Sequence, residues 1–199
     1  MIRFLTFSAL LFLLFSCKSY QPVTNLQPKT QMVYNPYFAN AEQDYVYSAT
    51  ISAYKHQVSG LLVVKALPND QHRVVLTTEF GNTLLDITVF KGGYNKNYAM
   101  PDLDKKIILN ILSHDLFIML NTTWQTQAQQ IAVEEEVFKA TIKNKNYFLF
   151  KKNEALERIV YAKRKKKVAV HFTTDSYQQA TSVQLKHYNF DIEIQLQKL

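Results

Sequence analysis

The stretch that decides the fold is Arg73-Val74-Val75-Leu76-Thr77-Thr78-Glu79-Phe80, which continues through Gly81-Asn82-Thr83-Leu84 into Leu85-Asp86-Ile87. Apolar and polar residues alternate on both sides of the Gly-Asn pair, and this period of two is typical of strands with one buried face. Glycine and asparagine favour a tight reversal of the chain. The stretch therefore predicts an antiparallel hairpin with one apolar face.

The register of this hairpin follows from the requirement that the apolar side chains of both strands share a face. That requirement pairs Phe80 with Leu85, Thr78 with Ile87 and Leu76 with Val89. Upstream, the same alternation predicts strands over 45–53 and 62–66, and Leu67-Pro68-Asn69-Asp70 supplies turn chemistry. These strands form an antiparallel meander with one apolar face.

A change of period predicts a helix from Asp102 to Leu120. Pro101 and the carboxylates of Asp102 and Asp104 are typical of a first helical turn, and Asn121 can end the helix. Apolar residues recur at spacings of three and four and form a stripe, which consists of Leu103, Ile107, Ile111, Leu112, Leu116 and Met119. We expect this stripe to face the concave side of the sheet, so that the helix forms a lid or plug.

The rest of the chain is predominantly strand-like. Short strands are predicted over 138–142, 147–150, 158–162, 168–172 and 190–196, whereas 122–130 is ambiguous. Val183 and Leu185 have the opposite parity to the last strand, which predicts a β-bulge near Lys186-His187. Residues 18–41 contain three prolines and no periodicity, and they predict an irregular tether.

Two segments resemble LolB, the outer-membrane lipoprotein receptor. They are Val58 to Val64 and Arg73 to Ile87, and the run Leu76 to Thr83 (LTTEFGNT) is the most specific part. The position of the helix and the alternation from Phe190 to Leu196 also fit that family. The resemblance covers roughly residues 44–120 and the last strand.

The resemblance implies a mainly β fold, an unclosed antiparallel barrel of the LolA/LolB type in which an inserted helix covers an apolar cavity. It also implies that the cavity binds acyl chains or lipoproteins. The apolar residues expected to line the cavity are Leu62, Val64, Leu76, Ile87, Val89, Ile107 and Ile111. LolB handles acyl chains with a hydrophobic residue that protrudes from a loop, and Leu67 is the candidate for that role here.

The N-terminus has the form of a bacterial lipoprotein signal. Arg3 precedes an apolar run from Phe4 to Phe15, which is shorter than the roughly 20 residues of a membrane-spanning helix. Leu14-Phe15-Ser16-Cys17 resembles a lipobox, which implies that the single cysteine, Cys17, carries the acyl chains of the mature protein. The predicted organisation is a signal peptide (1–16), a lipidated tether (17–43) and one LolB-like domain (44–199).

Residue content argues against an enzyme. The chain has no Gly-x-Ser-x-Gly motif, and its four glycines form no phosphate-binding loop. Its five histidines never occur at metal-ligand spacing, so we predict no catalytic residues, no metal and no cofactor. The net charge of +7 without aromatic–basic repeats favours anionic lipid over nucleic acid.

The basic run Lys163-Arg164-Lys165-Lys166-Lys167 has two interpretations. It is either a solvated connection that discourages edge pairing or a patch that faces lipid headgroups. The first interpretation requires no function.

Two functions remain open for the whole chain. One is a LolB-like receptor in lipoprotein localisation, which takes lipoprotein acyl chains from a LolA-like periplasmic carrier. The other is a non-enzymatic accessory lipoprotein that uses the same fold to bind a protein partner. Both place a monomer at the outer membrane, anchored through Cys17. The absence of acidic residues just after Cys17, which mark surface export in the Bacteroidetes lipoproteins that it resembles, favours the periplasmic face.

Overall fold

The computed structural model describes residues 19–132, 134–176 and 179–199. The predicted signal peptide and Cys17 lie outside these residues. The described chain forms one antiparallel sheet of thirteen strands and one helix. The strands are β1 (Gln27–Tyr34), β2 (Asp44–Ala53), β3 (His56–Leu67), β4 (Gln71–Thr78), β5 (Thr83–Phe90), β6 (Gly93–Ala99), β7 (Thr123–Ile131), β8 (Glu136–Ile142), β9 (Lys145–Lys152), β10 (Ala155–Ala162), β11 (Lys166–Thr174), β12 (Ala180–His187) and β13 (Ile192–Lys198), and the helix is α1 (Lys106–Leu120).

The sheet does not close. Its spatial order is β1-β7-β8-β9-β10-β11-β12-β13-β2-β3-β4-β5-β6, so that β1 and β6 are the two edges. The apolar side chains of its concave face form one large buried cluster together with the second half of α1. The predicted fold class, an unclosed antiparallel barrel with an inserted helix, is confirmed. The described residues include no helix that is both long and apolar enough to span a bilayer.

The β4–β5 hairpin is present, but its predicted register is wrong. The observed pairs are Leu76 with Leu85, Val74 with Ile87 and His72 with Val89. The loop closes early, because the Thr78 amide donates to the Asn82 carbonyl and the Gly81 amide donates to the Thr78 carbonyl. Phe80 therefore lies on the loop, 94% exposed, instead of on the apolar face. The two registers differ by an even number of residues, so the apolar face itself is as predicted.

The helix begins later than predicted. Met100 accepts hydrogen bonds from Leu103 and Asp104 in a separate turn, and Asp104 forms an ion pair with Lys96 of β6 (2.7 Å). No acidic residue lies in the first turn of α1, so the predicted role of Asp102 and Asp104 there is wrong. The predicted end is correct, because Asn121 is the C-terminal cap residue.

The N-terminal segment is more than a tether. Residues 27–34 form edge strand β1, which pairs with β7. Asn35 is fully buried, and its side-chain amide donates to the Met119 carbonyl at the end of α1 (3.0 Å). Polar composition concealed this strand, since its side chains are mostly exposed at the edge. Tyr20, Val23 and Leu26 pack on a second apolar cluster, on strands β8 to β11.

Other differences concern single strands. The ambiguous segment 122–130 forms β7, and polar β6 was not predicted. The opposite parity of 183–185 and 190–196 arises from a chain reversal between β12 and β13, not from a bulge. Lys166 and Lys167 of the basic run belong to β11, and only 163–165 form the connection.

Gly60 of β3 marks a place where two strands approach too closely for a side chain. A Cβ atom there would lie 1.9 Å from the Thr77 carbonyl oxygen of β4. We expect Gly60→Ala to lower the free energy of unfolding by about 1–3 kcal/mol or more, measured by urea denaturation, because the backbone must move. Ser59→Ala, at the exposed neighbouring position, is the control and should change it by less than about 0.5 kcal/mol. Equal effects of the two substitutions would contradict this packing.

Candidate functional site: an apolar cavity and a basic cleft

A cavity of about 530 Å³ lies between α1 and the concave face of the sheet, and we call it the apolar cavity. The sheet contributes aliphatic side chains from β2, β3, β4, β5, β12 and β13, and the helix contributes Ile107, Ile108, Ile111, Leu112, Leu116 and Met119. His56 and Tyr54 alone bring polar atoms among the described lining residues. The volume is within the usual range for small-molecule sites, roughly 300–1,000 Å³.

The cavity exists because the two halves of α1 are covered differently. From Asp115 to Leu120 every residue is buried, whereas Ile108, Ile111 and Leu112 are only partly buried and Ile107 is 76% exposed. Folded proteins seldom leave a contiguous set of large aliphatic side chains without protein contacts unless they bind something. The first two turns of the helix therefore form an aliphatic wall of the apolar cavity that the described protein does not fully cover.

The structure brings together only part of the predicted cavity lining. Leu62, Leu76, Ile107 and Ile111 line the apolar cavity. Val64, Ile87 and Val89 share the predicted face of the sheet but are packed in the filled core, where each is at most 2% exposed. They lie on the same face as Leu62 and Leu76 but farther along the strands. Periodicity predicts the face of a strand correctly and carries no information about where along it the packing opens.

Leu67 does not line this cavity. It is the last residue of β3, and the turn that follows it contacts the far end of α1 through the side chains of Asp70 and Thr122. Two aromatic residues in loops border the cavity instead. They are Tyr54, 65% exposed with a φ of 54°, and Phe190. Neither residue was predicted to border the cavity, because Tyr54 has the opposite parity to the apolar face of β2 and Phe190 has the parity of β13 and was assigned to that strand.

Two adjoining cavities of about 600 and 360 Å³ lie beside the apolar cavity, and we call them together the basic cleft. They share Asn110, His114 and Lys145, and their lysines are Lys143, Lys145, Lys163 and Lys167. The smaller one also shares Ile111 and Phe190 with the apolar cavity. Lys143 and Lys145 come from the turn between β8 and β9 and from the start of β9, and the sequence offered no signal that links them to the run from Lys163 to Lys167.

Burial and positive charge dominate the electrostatics of the cleft. Burial, together with the charges of Lys145, His187 and Lys163, lowers the pKa of His114 to about 4. The His114 ring Nε2 lies 3.0 Å from the Tyr147 hydroxyl. Burial, with repulsion from Lys163 and Lys143, also lowers the pKa of Lys145. His114 is therefore neutral at physiological pH in a strongly positive environment.

Asp115 and His187 form a buried pair at the back of the cleft. His187 Nε2 lies 2.7 Å from Asp115 Oδ2, and both side chains are almost inaccessible to solvent. Burial raises the pKa of Asp115, and the contact with His187 opposes that rise. Asp115 Oδ1 and His187 Nδ1 are buried without a hydrogen-bond partner among the described residues. These residues, together with the rest of the described chain, do not form a group of three or more potential metal ligands.

The depressed pKa of His114 predicts a pH dependence of stability. The unfolded chain takes up this proton near pH 6.5, and the folded protein resists it until about pH 4. The free energy of unfolding should therefore fall as pH falls through this window, by at most about 1.4 kcal/mol per pH unit from this residue. We expect His114→Gln to show a shallower slope than wild type in urea denaturation between pH 7 and 4.5. Parallel slopes for wild type and His114→Gln would refute this assignment.

Comparison with known proteins supports the fold and gives a family. The LolA superfamily protein NE2245 from Nitrosomonas europaea has a similar structure, with a TM-score of 0.53, 9% sequence identity and coverage of 83% of this chain and 86% of that chain. A DUF1329 family protein from Desulfovibrio piger has a TM-score of 0.44, 8% identity and coverage of 79% and 84%. No curated protein matches the chain in sequence. Residues 46–199 match the model of a family described as proteins of unknown function, DUF3261, and the chain belongs to that family.

Proposed function

We propose that this protein binds acyl chains in the apolar cavity and acts as a lipid-anchored receptor for acylated cargo, as LolB does. The observation that carries the proposal is the wall of isoleucine and leucine side chains on the first two turns of α1, which faces a cavity of about 530 Å³ instead of protein. An acyl chain in the cavity would give these side chains the apolar contacts that the protein does not provide. Each buried methylene contributes about 0.8 kcal/mol, so a chain of ordinary length has enough apolar surface for tight binding.

The N-terminal segment supports a membrane-facing orientation of the cavity. The Tyr20 amide and the Ser19 hydroxyl both donate to the Lys163 carbonyl oxygen, at 3.1 and 3.3 Å. The Tyr20 ring packs edge-on against Phe148, at 5.6 Å between ring centroids. The described chain therefore begins beside the β10–β11 connection, and Cys17 precedes Ser19 by two positions in the sequence.

That connection lies at the same end of the strands as the mouth of the apolar cavity. Antiparallel connectivity places the β2–β3, β10–β11 and β12–β13 connections at one end of the sheet, and Tyr54 and Phe190 belong to the first and third of these. A protein anchored through Cys17 would therefore present the cavity to the membrane.

The acyl-handling role proposed for a protruding loop residue belongs to Tyr54 and not to Leu67. Tyr54 is exposed, borders the apolar cavity and stands on a two-residue turn between long strands. Its left-handed backbone conformation directs the chain sharply at this point. Leu67 lies at the opposite end of β3, away from the mouth.

A second candidate function is favoured by one observation at edge strand β1. Met32 and Tyr34 are large apolar residues exposed on this edge, where one side of the strand has no partner strand. Such an edge can pair with a strand of another protein. An accessory lipoprotein that binds a protein partner through β1 would use the same fold and need no acyl cargo.

The substitution Ile111→Trp tests the acyl-binding proposal. Ile111 lines the apolar cavity, so the indole ring should occupy the vacant volume. We expect stability in urea denaturation to be unchanged or higher, and the affinity for a dansyl-labelled fatty acid, measured by fluorescence titration, to fall about tenfold or more (~1.4 kcal/mol). The exposed residue Ile131 does not line the cavity, and Ile131→Trp is the matched control that should keep wild-type affinity.

A different result would exclude acyl binding here. If the cavity is filled core in solution, the tryptophan should cost roughly 1–3 kcal/mol through overpacking. A destabilised Ile111→Trp variant, together with a wild-type protein that does not bind the fatty acid, leaves only the protein-partner function.

Lipidation of Cys17 is tested by Cys17→Ala in cell fractionation. We expect the wild-type protein in the membrane pellet and the variant either soluble or uncleaved, because several acyl chains, at about 0.8 kcal/mol per methylene, provide the anchor. Mass spectrometry of the N-terminal peptide should show the acyl chains on wild type. Finding the fully processed variant in the pellet would show that another contact holds the protein at the membrane.

A further inference from the structure

The basic cleft contains four lysines that have no carboxylate partner among the described residues. None of its four lysines, Lys143, Lys145, Lys163 and Lys167, lies within 4.0 Å of a carboxylate of the described residues, whereas Lys65, Lys96 and Lys151 elsewhere each have one. The only carboxylate among the described lining residues is Asp115, which is bound to His187. Like charges gathered in a partly desolvated cavity repel one another, and a bound anion would remove that cost.

Lys145 lies where the positive charge of the cleft is concentrated. This residue is half-buried, and burial and the charges of Lys163 and Lys143 together lower its pKa. Its only described attractive contact is a weak one, with the Tyr161 ring at 5.8 Å. Lysine side chains ordinarily keep their charged ends in water. A general need for solubility therefore does not explain why four of them line the same cavity.

The back of the cleft offers hydrogen-bonding atoms that the protein leaves unused. Asp115 Oδ1 and His187 Nδ1 are buried and have no partner among the described residues. Buried polar atoms nearly always have a hydrogen-bond partner, and leaving one without a partner costs about 1–3 kcal/mol. A headgroup that carries hydroxyl groups beside its anionic group could satisfy both atoms.

The basic cleft and the apolar cavity share a wall. Ile111 of α1 and Phe190 of the β12–β13 connection line both. A ligand that fills the apolar cavity with a hydrocarbon chain would therefore place its polar end beside Lys145, Lys163 and Lys167. The apolar cavity suits the hydrocarbon chain of an anionic amphiphile. The adjoining basic cleft, whose lysines have no carboxylate partner among the described residues, suits its charged end.

We infer that the basic cleft binds the anionic headgroup, a carboxylate or a phosphate ester, of the amphiphile whose chain lies in the apolar cavity. This inference rests on the proposed acyl-chain function and narrows its ligand class to anionic lipids. Lys145 and Lys163 neutralise the headgroup charge, Lys167 adds to the field, and Asn110 supplies a side-chain amide at the point where the two parts of the cleft meet.

The residues of the basic run then have two different roles. Lys163 and Lys167 line the cleft, whereas Arg164 and Lys165 are exposed outside it and Lys166 stacks on the Tyr188 ring at 4.0 Å. The run is thus neither wholly a solvated connection nor wholly a surface patch. Its first and last residues face the ligand, and the exposed residues between them are available to the membrane.

The test compares amphiphiles with one chain length and different headgroups in isothermal titration calorimetry on the wild-type protein. The probes are a fatty acid, a lysophosphatidylglycerol, the neutral monoacylglycerol and inorganic phosphate. We expect both anionic amphiphiles to bind about tenfold or more tightly than the monoacylglycerol. In a variant with Lys145→Gln and Lys163→Gln, we expect that preference to disappear while monoacylglycerol affinity stays the same. A variant with Lys29→Gln and Lys152→Gln has the same net charge, changes exposed lysines outside the cleft, and should keep the preference.

The outcomes separate this inference from the proposed function. Equal binding of anionic and neutral amphiphiles by wild type would overturn the headgroup site and leave acyl binding intact. Phosphate that binds without competing with the fatty acid would also overturn it, since the cleft would then be a separate site for a free anion. Failure of every amphiphile to bind would refute the acyl-binding function, and the headgroup site with it.

Discussion

The structure depends on covering the concave face of a sheet that does not close. Thirteen antiparallel strands place a large set of apolar side chains on this face, and α1 is the one described helix that lies against it. Its C-terminal half is held from several sides. The Asn35 amide donates to the Met119 carbonyl, the Trp124 indole donates to the Asn121 carbonyl, and the Phe117 ring packs against Trp124 at 5.7 Å. Among the described residues, no side chain from another element forms a hydrogen bond or ring contact with residues 106–112, and this half supplies Ile107, Ile108, Ile111 and Leu112 to the cavity wall.

Electrostatics reinforce this division along the helix. Asp115 lies near the middle of α1 and forms its buried contact with His187 at the end of β12. Removing one member of such a pair usually costs about 3–5 kcal/mol, because the other is left unpaired in a poorly solvated place. This contact joins α1 to the end of β12. His114 and Asn110, on the same helix, line the cleft beside it. The same pair therefore positions the helix and forms the back of the basic cleft.

The start of the described chain, the basic cleft and the apolar cavity adjoin one another. Ser19 and Tyr20 bind the Lys163 carbonyl, Lys163 lines the cleft, and Phe190 lines both the cleft and the apolar cavity. Under the proposed function, an amphiphile leaving the bilayer would move its chain past aromatic side chains and its charge toward lysines. The turn after Leu67 lies at the other end of β3 from Tyr54, and Asp70 in that turn contacts Thr122, which follows α1.

The sequence by itself determined which residues share a face. A period of two identified the apolar faces of β2, β3, β4 and β5, a period near 3.6 identified α1, and Asn121 marked its end. These signals are local, since side chains alternate along a strand and recur along a helix whatever lies opposite. Register was less secure, because the true β4–β5 pairing and the predicted one bury the same face. β1 escaped detection because an edge strand with polar side chains has no alternation to reveal it.

Only the tertiary structure decided where the apolar faces of the strands and the helix pack against each other and where a cavity remains between them. Val64 and Leu62 are neighbours on one face of β3, yet Val64 is fully buried away from the cavity and Leu62 borders it. In the same way, Lys145 and Lys163 are 18 positions apart in sequence and meet only because β9 and β10 pair. A void and a convergence of charge both depend on the relative placement of distant elements, and no local pattern of residues encodes that placement.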